Sequence, residues 1–258
     1  MKHLFSVRFI GCLLTAAGAL QFVPACSAAS FGVKPAGART DTKVVRRTGA
    51  ETIVSPVSAA NGTTLEELGT QWWKWALTLP VDLSNPYITF DCNSQGKTQS
   101  GAVWFLFGMG GPTAPPSAVT LYCAIPAGQT LFFPVINAEC SDVEGPPYHG
   151  GTADERRACA KAWNDDVRDM TATIDGVAVP NLTSYRAATP DFEIKLPEDN
   201  IFGLPKSSRV NSSGDGFYLR LDPLPPGQHE IHFTATAFLG GAPAFSTDTT
   251  WILWVAKK

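Results

Sequence analysis

The chain has 258 residues, of which 44% are hydrophobic and 17% charged, and its formal net charge is -3. That is enough apolar material for one large or two small cores. The charge balance excludes a nucleic-acid binder, because a polyphosphate backbone calls for a basic surface; the lone basic run, Lys43 with Arg46 and Arg47, reads as a solvated tail.

In chain order, Lys2, His3 and Arg8 precede an apolar run over 9–20 and then small residues from Ala25 to Ala29. A basic flank, an apolar segment too short to cross a bilayer and a small-residue cleavage zone predict a secretory signal peptide over 1–29, hence a secreted or periplasmic protein. Val23-Pro24-Ala25-Cys26 loosely resembles a lipoprotein box, which would anchor the chain by lipid at Cys26, but Pro24 fits that pattern poorly and plain cleavage near Ala28 or Ala29 is expected. No other segment is long and apolar enough for a membrane span. Residues 30–61, rich in Gly, Ala, Ser, Thr and charge, read as a flexible tether, and 62–258 as a single domain.

Beyond the leader stand four cysteines, Cys92, Cys123, Cys140 and Cys159, or five if Cys26 is retained. An even set in an exported chain implies disulfides with three possible connectivities. Sequential pairing, Cys92 with Cys123 and Cys140 with Cys159, is the simplest, and each bridge would contribute on the order of 3–4 kcal/mol. A four-Cys zinc site is the competing reading, and it lacks any Cys-x-x-Cys pair.

Over 63–80 the period is helical: Thr63 or Thr64 caps it, Glu66 and Glu67 fill the first turn, and Pro80 ends it. Leu65, Leu68, Trp72, Trp75, Ala76 and Leu79 share the face that must be buried, while Trp73 and Leu77 fall on a flank. Trp73 is thereby a packing contact or the one ring of the helix left for ligand binding. From Tyr87 the period becomes that of strands. Ala102–Phe107, Val119–Ile125 and Thr130–Asn137 are expected strands, the last with an edge or a bulge at Pro134. The glycines at 108, 110 and 111 are followed by Pro112 rather than a helix, which excludes a phosphate loop.

A second helix is expected over Asp154–Arg168, with Cys159, Ala162, Trp163, Val167 and Met170 as a narrow apolar stripe on the sheet. A hairpin turning at Asp175-Gly176 follows, then strands at Phe192–Leu196, Phe217–Leu221, His229–Phe238 and Thr249–Val255. Many short strands punctuated by Gly and Pro predict a mainly β fold, a β-sandwich of Greek-key or immunoglobulin-like character with two packed α-helices.

The combination of Gln71-Trp72-Trp73-Lys74-Trp75, Gln99-Ser100-Gly101-Ala102-Val103-Trp104-Phe105-Leu106, Cys123-Ala124-Ile125-Pro126-Ala127-Gly128, Leu131 through Cys140 and Pro226 through Phe233 resembles a group of exported bacterial proteins without an assigned function. The likeness spans nearly the whole chain after the leader. It implies one domain family and an exported bacterial location, and it carries over no catalytic residue.

No Gly-x-Ser-x-Gly elbow occurs, and His229 and His232 point to opposite faces of an alternating strand, so no catalytic set is identified. The best candidate binding cluster is Glu139, Asp142, Glu144 and His149, in the loop after the Leu131 strand. Such oxygen ligands with one imidazole would favour calcium, but the spacing matches no EF-hand; a solvated acidic loop is the plainer reading, and no cofactor or metal set is assigned. The expected function is a non-enzymatic domain that binds a small molecule, glycan or envelope protein. The alternative is a hydrolase of envelope or extracellular carbohydrate using two of Asp82, Asp91, Glu139 and Asp142.

Overall fold

The computed structural model describes residues 63–81, 98–108, 110–111 and 118–257. The expected leader, the tether, Cys26, Asp82, Asp91 and Cys92 lie outside the described residues. The strands are β1 (Val103–Phe105), β2 (Gly110–Gly111), β3 (Val119–Ile125), β4 (Thr130–Ser141), β5 (Val167–Ile174), β6 (Val177–Ala178), β7 (Arg186–Ala188), β8 (Phe192–Lys195), β9 (Arg209–Leu221), β10 (Gly227–Leu239) and β11 (Ala242–Val255). The helices are α1 (Leu65–Leu77) and α2 (Ala153–Asn164).

The strands form two sheets, the mainly β sandwich with two packed helices that the punctuation of the sequence predicts. The first sheet runs β1-β4-β9-β7 with β8 also on β9, and the second runs β2-β11-β10-β5-β6 with β3 also on β11. They meet face to face: the ring of Phe133 on β4 stacks on that of Phe233 on β10 at 5.4 Å. Two pairings are parallel, β1 with β4 and β3 with β11. Hydrophobic alternation is the same for either direction, so only the structure reveals them.

Pro134 sits on a central strand, and the β4–β9 register shifts between Pro134 and Ile136; of edge and bulge, the bulge is realised. β1 is shorter than the apolar run that predicts it. Past Phe105 the carbonyls serve indoles instead of a ladder: Trp72 Nε1 donates to the Leu106 carbonyl at 2.7 Å and Trp251 Nε1 to that of Phe107 at 2.9 Å. Leu106 and Phe107 are buried nonetheless. Asp175 and Gly176 both take positive φ, as a tight two-residue β5–β6 turn requires.

α1 starts with a full capping box, Thr64 Oγ1 accepting from Glu67 N–H while Glu67 accepts from Thr64 N–H. Its expected buried face holds, with Leu65, Leu68, Trp72, Trp75 and Leu79 all covered. The flank is covered too: Trp73 and Leu77 are buried. The helix packs on the first sheet, with Gly69 facing Tyr218 of β9 and Thr189, so more than one stripe meets protein.

α2 stops at Asn164, short of the expected Arg168. Phe238 N–H donates to the Asp166 carbonyl at 2.8 Å, and the chain joins β10 as β5 from Val167 onward. Val167 and Met170 are therefore strand residues, and Ala162 is exposed, which corrects the expected stripe. The face of α2 that is buried carries Arg156, Ala160, Trp163 and Asn164. Cys140 and Cys159 form the expected disulfide, tying β4 to α2 with Cα atoms 6.0 Å apart. Cys123 is disulfide-bonded as well, and its expected partner Cys92 lies outside the described residues.

Candidate functional site

The loop that leaves β4 closes on itself. Tyr148 N–H donates to the Gly145 carbonyl, Ser141 N–H to that of Tyr148 and Gly150 N–H to that of Ser141, at 3.0–3.1 Å. Tyr148 stacks flat on Trp163 of α2 at 4.8 Å, beside the disulfide. Arg156 completes the frame, with Nη1 donating to the carbonyls of Gly150 and Gly151 and its fork bound to the Asp191 carboxylate at 2.8 and 2.7 Å.

Within that frame the expected acidic cluster assembles in part. Glu139, at the end of β4, is only 8% exposed; it accepts from Ser212 Oγ on β9 and its carboxyl is hydrogen-bonded to that of Glu144. Burial, and after it the negative charge of Glu144, push the Glu139 pKa well above the usual carboxylate range. Burial also raises that of Glu144, against the opposing hydrogen bond from Ser141 Oγ at 2.9 Å. Both carboxyls therefore keep their protons to higher pH than a solvated carboxylate does.

Asp142 is spent elsewhere: it accepts from Asn211 N–H at 3.1 Å and from its side-chain amide at 2.7 Å. His149 is exposed at the far end of the loop, close enough to Glu144 for its charge to act there. Among the described residues no three His, Cys, Asp or Glu side chains stand where they would hold a metal ion. The cluster locks the loop to the first sheet.

Trp73, the remaining sequence candidate, is not an accessible ring. It is 9% exposed, and its indole N–H donates to Tyr218 Oη at 3.0 Å between helix and sheet. Of the two readings of Trp73, the packing contact is the one this burial supports, and Gly214 of β9 leaves room for the ring. The two strand histidines are separately engaged, His229 with Asp175 at 2.7 Å and His232 with Asp248 at 2.9 Å.

A cavity of about 390 Å³ opens beside α1, between Lys74, Trp75, Phe105 and the β8 residues Glu193 and Lys195. Three of its polar side chains are committed: Gln99 donates to the Phe105 carbonyl at 3.0 Å, Trp75 Nε1 donates to Thr98 Oγ1 at 3.1 Å, and Glu193 is paired with Arg209.

The accessible aromatic surface lies on the other sheet. In β3, Leu121, Cys123 and Ile125 are buried, and in β11, Trp251, Leu253 and Val255 are, which turns Tyr122 and Trp254 to the outer face. Parallel register places Tyr122 beside Ile252 and Ala124 beside Trp254, so the two rings are diagonal neighbours. They lie 6.0 Å apart with planes 21° from parallel, and they are 58% and 44% exposed. Sequence reasoning missed them, because both rings stand in largely apolar strands, Trp254 within Trp251-Ile252-Leu253-Trp254-Val255. No family model, curated protein or solved structure matches the chain.

Proposed function

We propose that the chain is an exported, non-enzymatic binding domain that holds its ligand or partner on the outer face of the second sheet. The observation that carries this reading is the exposed, near-parallel ring pair of Tyr122 and Trp254. Large rings are normally buried, and two held side by side in water on a rigid sheet lose little further freedom when they bind. Export is supported by the basic and apolar N-terminal pattern, by the resemblance to exported bacterial proteins and by the Cys140–Cys159 bridge, since disulfides persist in oxidising compartments. Among the described residues no helix is long and apolar enough to cross a membrane. The hydrolase alternative has less support, because, of its carboxyls that lie among the described residues, Glu139 is buried and Asp142 is held by Asn211.

Co-sedimentation of the purified chain with washed bacterial envelope tests the reading. Retention is expected for the wild type and expected to fall at least tenfold for the Tyr122→Ala/Trp254→Ala double variant. Equal retention of both would overturn it.

A further inference from the structure

Resting on that reading and naming its ligand, we infer that the Tyr122–Trp254 face binds a neutral polysaccharide. A pyranose ring has one face lined with C–H groups and an edge lined with hydroxyls. It therefore fits an apolar ring set in a field of hydrogen-bonding side chains, the pairing of apolar platform and few polar groups found in small-ligand sites generally. The sheet supplies both parts. In the row through Tyr122, the outer positions continue across Ile252 to Glu230, and in the row through Trp254 they run from Ala124 to Gln228. The next row adds Thr120, Thr250 and His232. Thr250 is half-exposed and Glu230 exposed, within one or two strand spacings of the rings.

Charge decides against the anionic occupants of such a surface. Glu230 flanks the platform, the half-buried Asp248 sits beyond it paired to His232, and no Lys or Arg occupies these rows. An acidic polysaccharide or an anionic lipid headgroup would meet like charge from this face and from a chain of net charge -3, whereas carboxylates are good acceptors for the paired hydroxyls of a neutral sugar. A protein partner fits less well. The core of a stable protein interface is a contiguous apolar patch of several hundred Å² per side. Here the other large exposed apolar residues, Val81, Val143, Ile201 and Leu239, lie outside these rows, which leaves the two rings with only Ile252 and the small Ala124 as apolar neighbours.

The test is affinity electrophoresis of the full chain in gels containing mixed-linkage β-glucan, xylan, galactomannan or starch, with alginate as the anionic comparison. Retardation by at least one neutral polymer and none by alginate is expected. Trp254→Ala and Tyr122→Ala should each weaken that affinity at least tenfold while the melting temperature stays within a few degrees of wild type. No retardation by any neutral polymer, retardation by alginate that depends on the rings, or unchanged affinity in both variants overturns the inference. Envelope co-sedimentation separates the two claims: retention that depends on the rings but is abolished by protease and survives periodate keeps the binding face and removes the glycan.

Discussion

The indole of Trp73 lies directly over Gly214, so that a side chain on that glycine would collide with the ring, while its N–H reaches on to Tyr218 Oη at 3.0 Å. The glycine is thus the socket through which α1 seats on β9. Gly214→Ala is expected to lower stability by about 1–3 kcal/mol or more, as overpacking of a dense core does. Urea denaturation measures it; a change within about 0.5 kcal/mol would mean the helix is free to shift.

Trp72, buried and bonded to the Leu106 carbonyl at 2.7 Å, closes the same layer. Trp72→Ala is expected to cost roughly 3–5 kcal/mol as a core truncation. Chemical denaturation giving less than about 1 kcal/mol, the scale of substitutions outside the core, would place the ring outside the core.

The Cys140–Cys159 bridge closes a loop with a sequence separation of 19, for which the chain-entropy relation gives a stabilisation of about 3 kcal/mol. Cys140→Ser/Cys159→Ser should lower the denaturation midpoint accordingly. It should also loosen the loop that Tyr148 and Arg156 hold, which is visible as faster amide exchange over 142–151.

Two carboxyls have pKa values shifted in opposite directions. Glu139 has a raised pKa, so its contribution to stability is complete below the usual carboxylate range and is lost as pH rises through the raised value. Glu139→Gln imitates the protonated form, and its melting temperature should gain on wild type progressively as pH rises above the usual carboxylate range. Asp191 is held below the usual range by Arg156, so its contribution is present above that range and disappears as pH falls. Asp191→Asn should cost about 1.5–3 kcal/mol at neutral pH, the scale of a charged hydrogen bond, and flatten the acid limb. Parallel pH profiles for both variants and wild type would contradict these assignments.

Much of the frame was legible because it depends on local periodicity: the capped α1 with its buried stripe, the alternation of β3, β8 and β10, the Asp175-Gly176 turn and the second disulfide. For Trp73 the helical wheel left packing and exposure open, because it assumes one flat partner; the β9 glycine lets the flank ring in and makes it a packing contact. The end of α2 was misread because β pairing of Val167 to Ala237 outcompetes continued helix. Glu139 and Glu144 were legible as neighbours, being close in sequence, but the buried setting of Glu139 includes Ser212 from a distant strand. Tyr122 and Trp254 each look like one more apolar strand residue; only the parallel β3–β11 register brings them to one face.

Because Trp254 is 44% exposed, removing its ring should leave the fold nearly untouched, within about 1 kcal/mol of wild type. The most direct measurement is therefore the retention of Trp254→Ala and wild type on washed bacterial envelope, at matched stability. A loss of at least tenfold is the predicted result. Undiminished retention by a folded Trp254→Ala chain would contradict a binding face built on this ring pair.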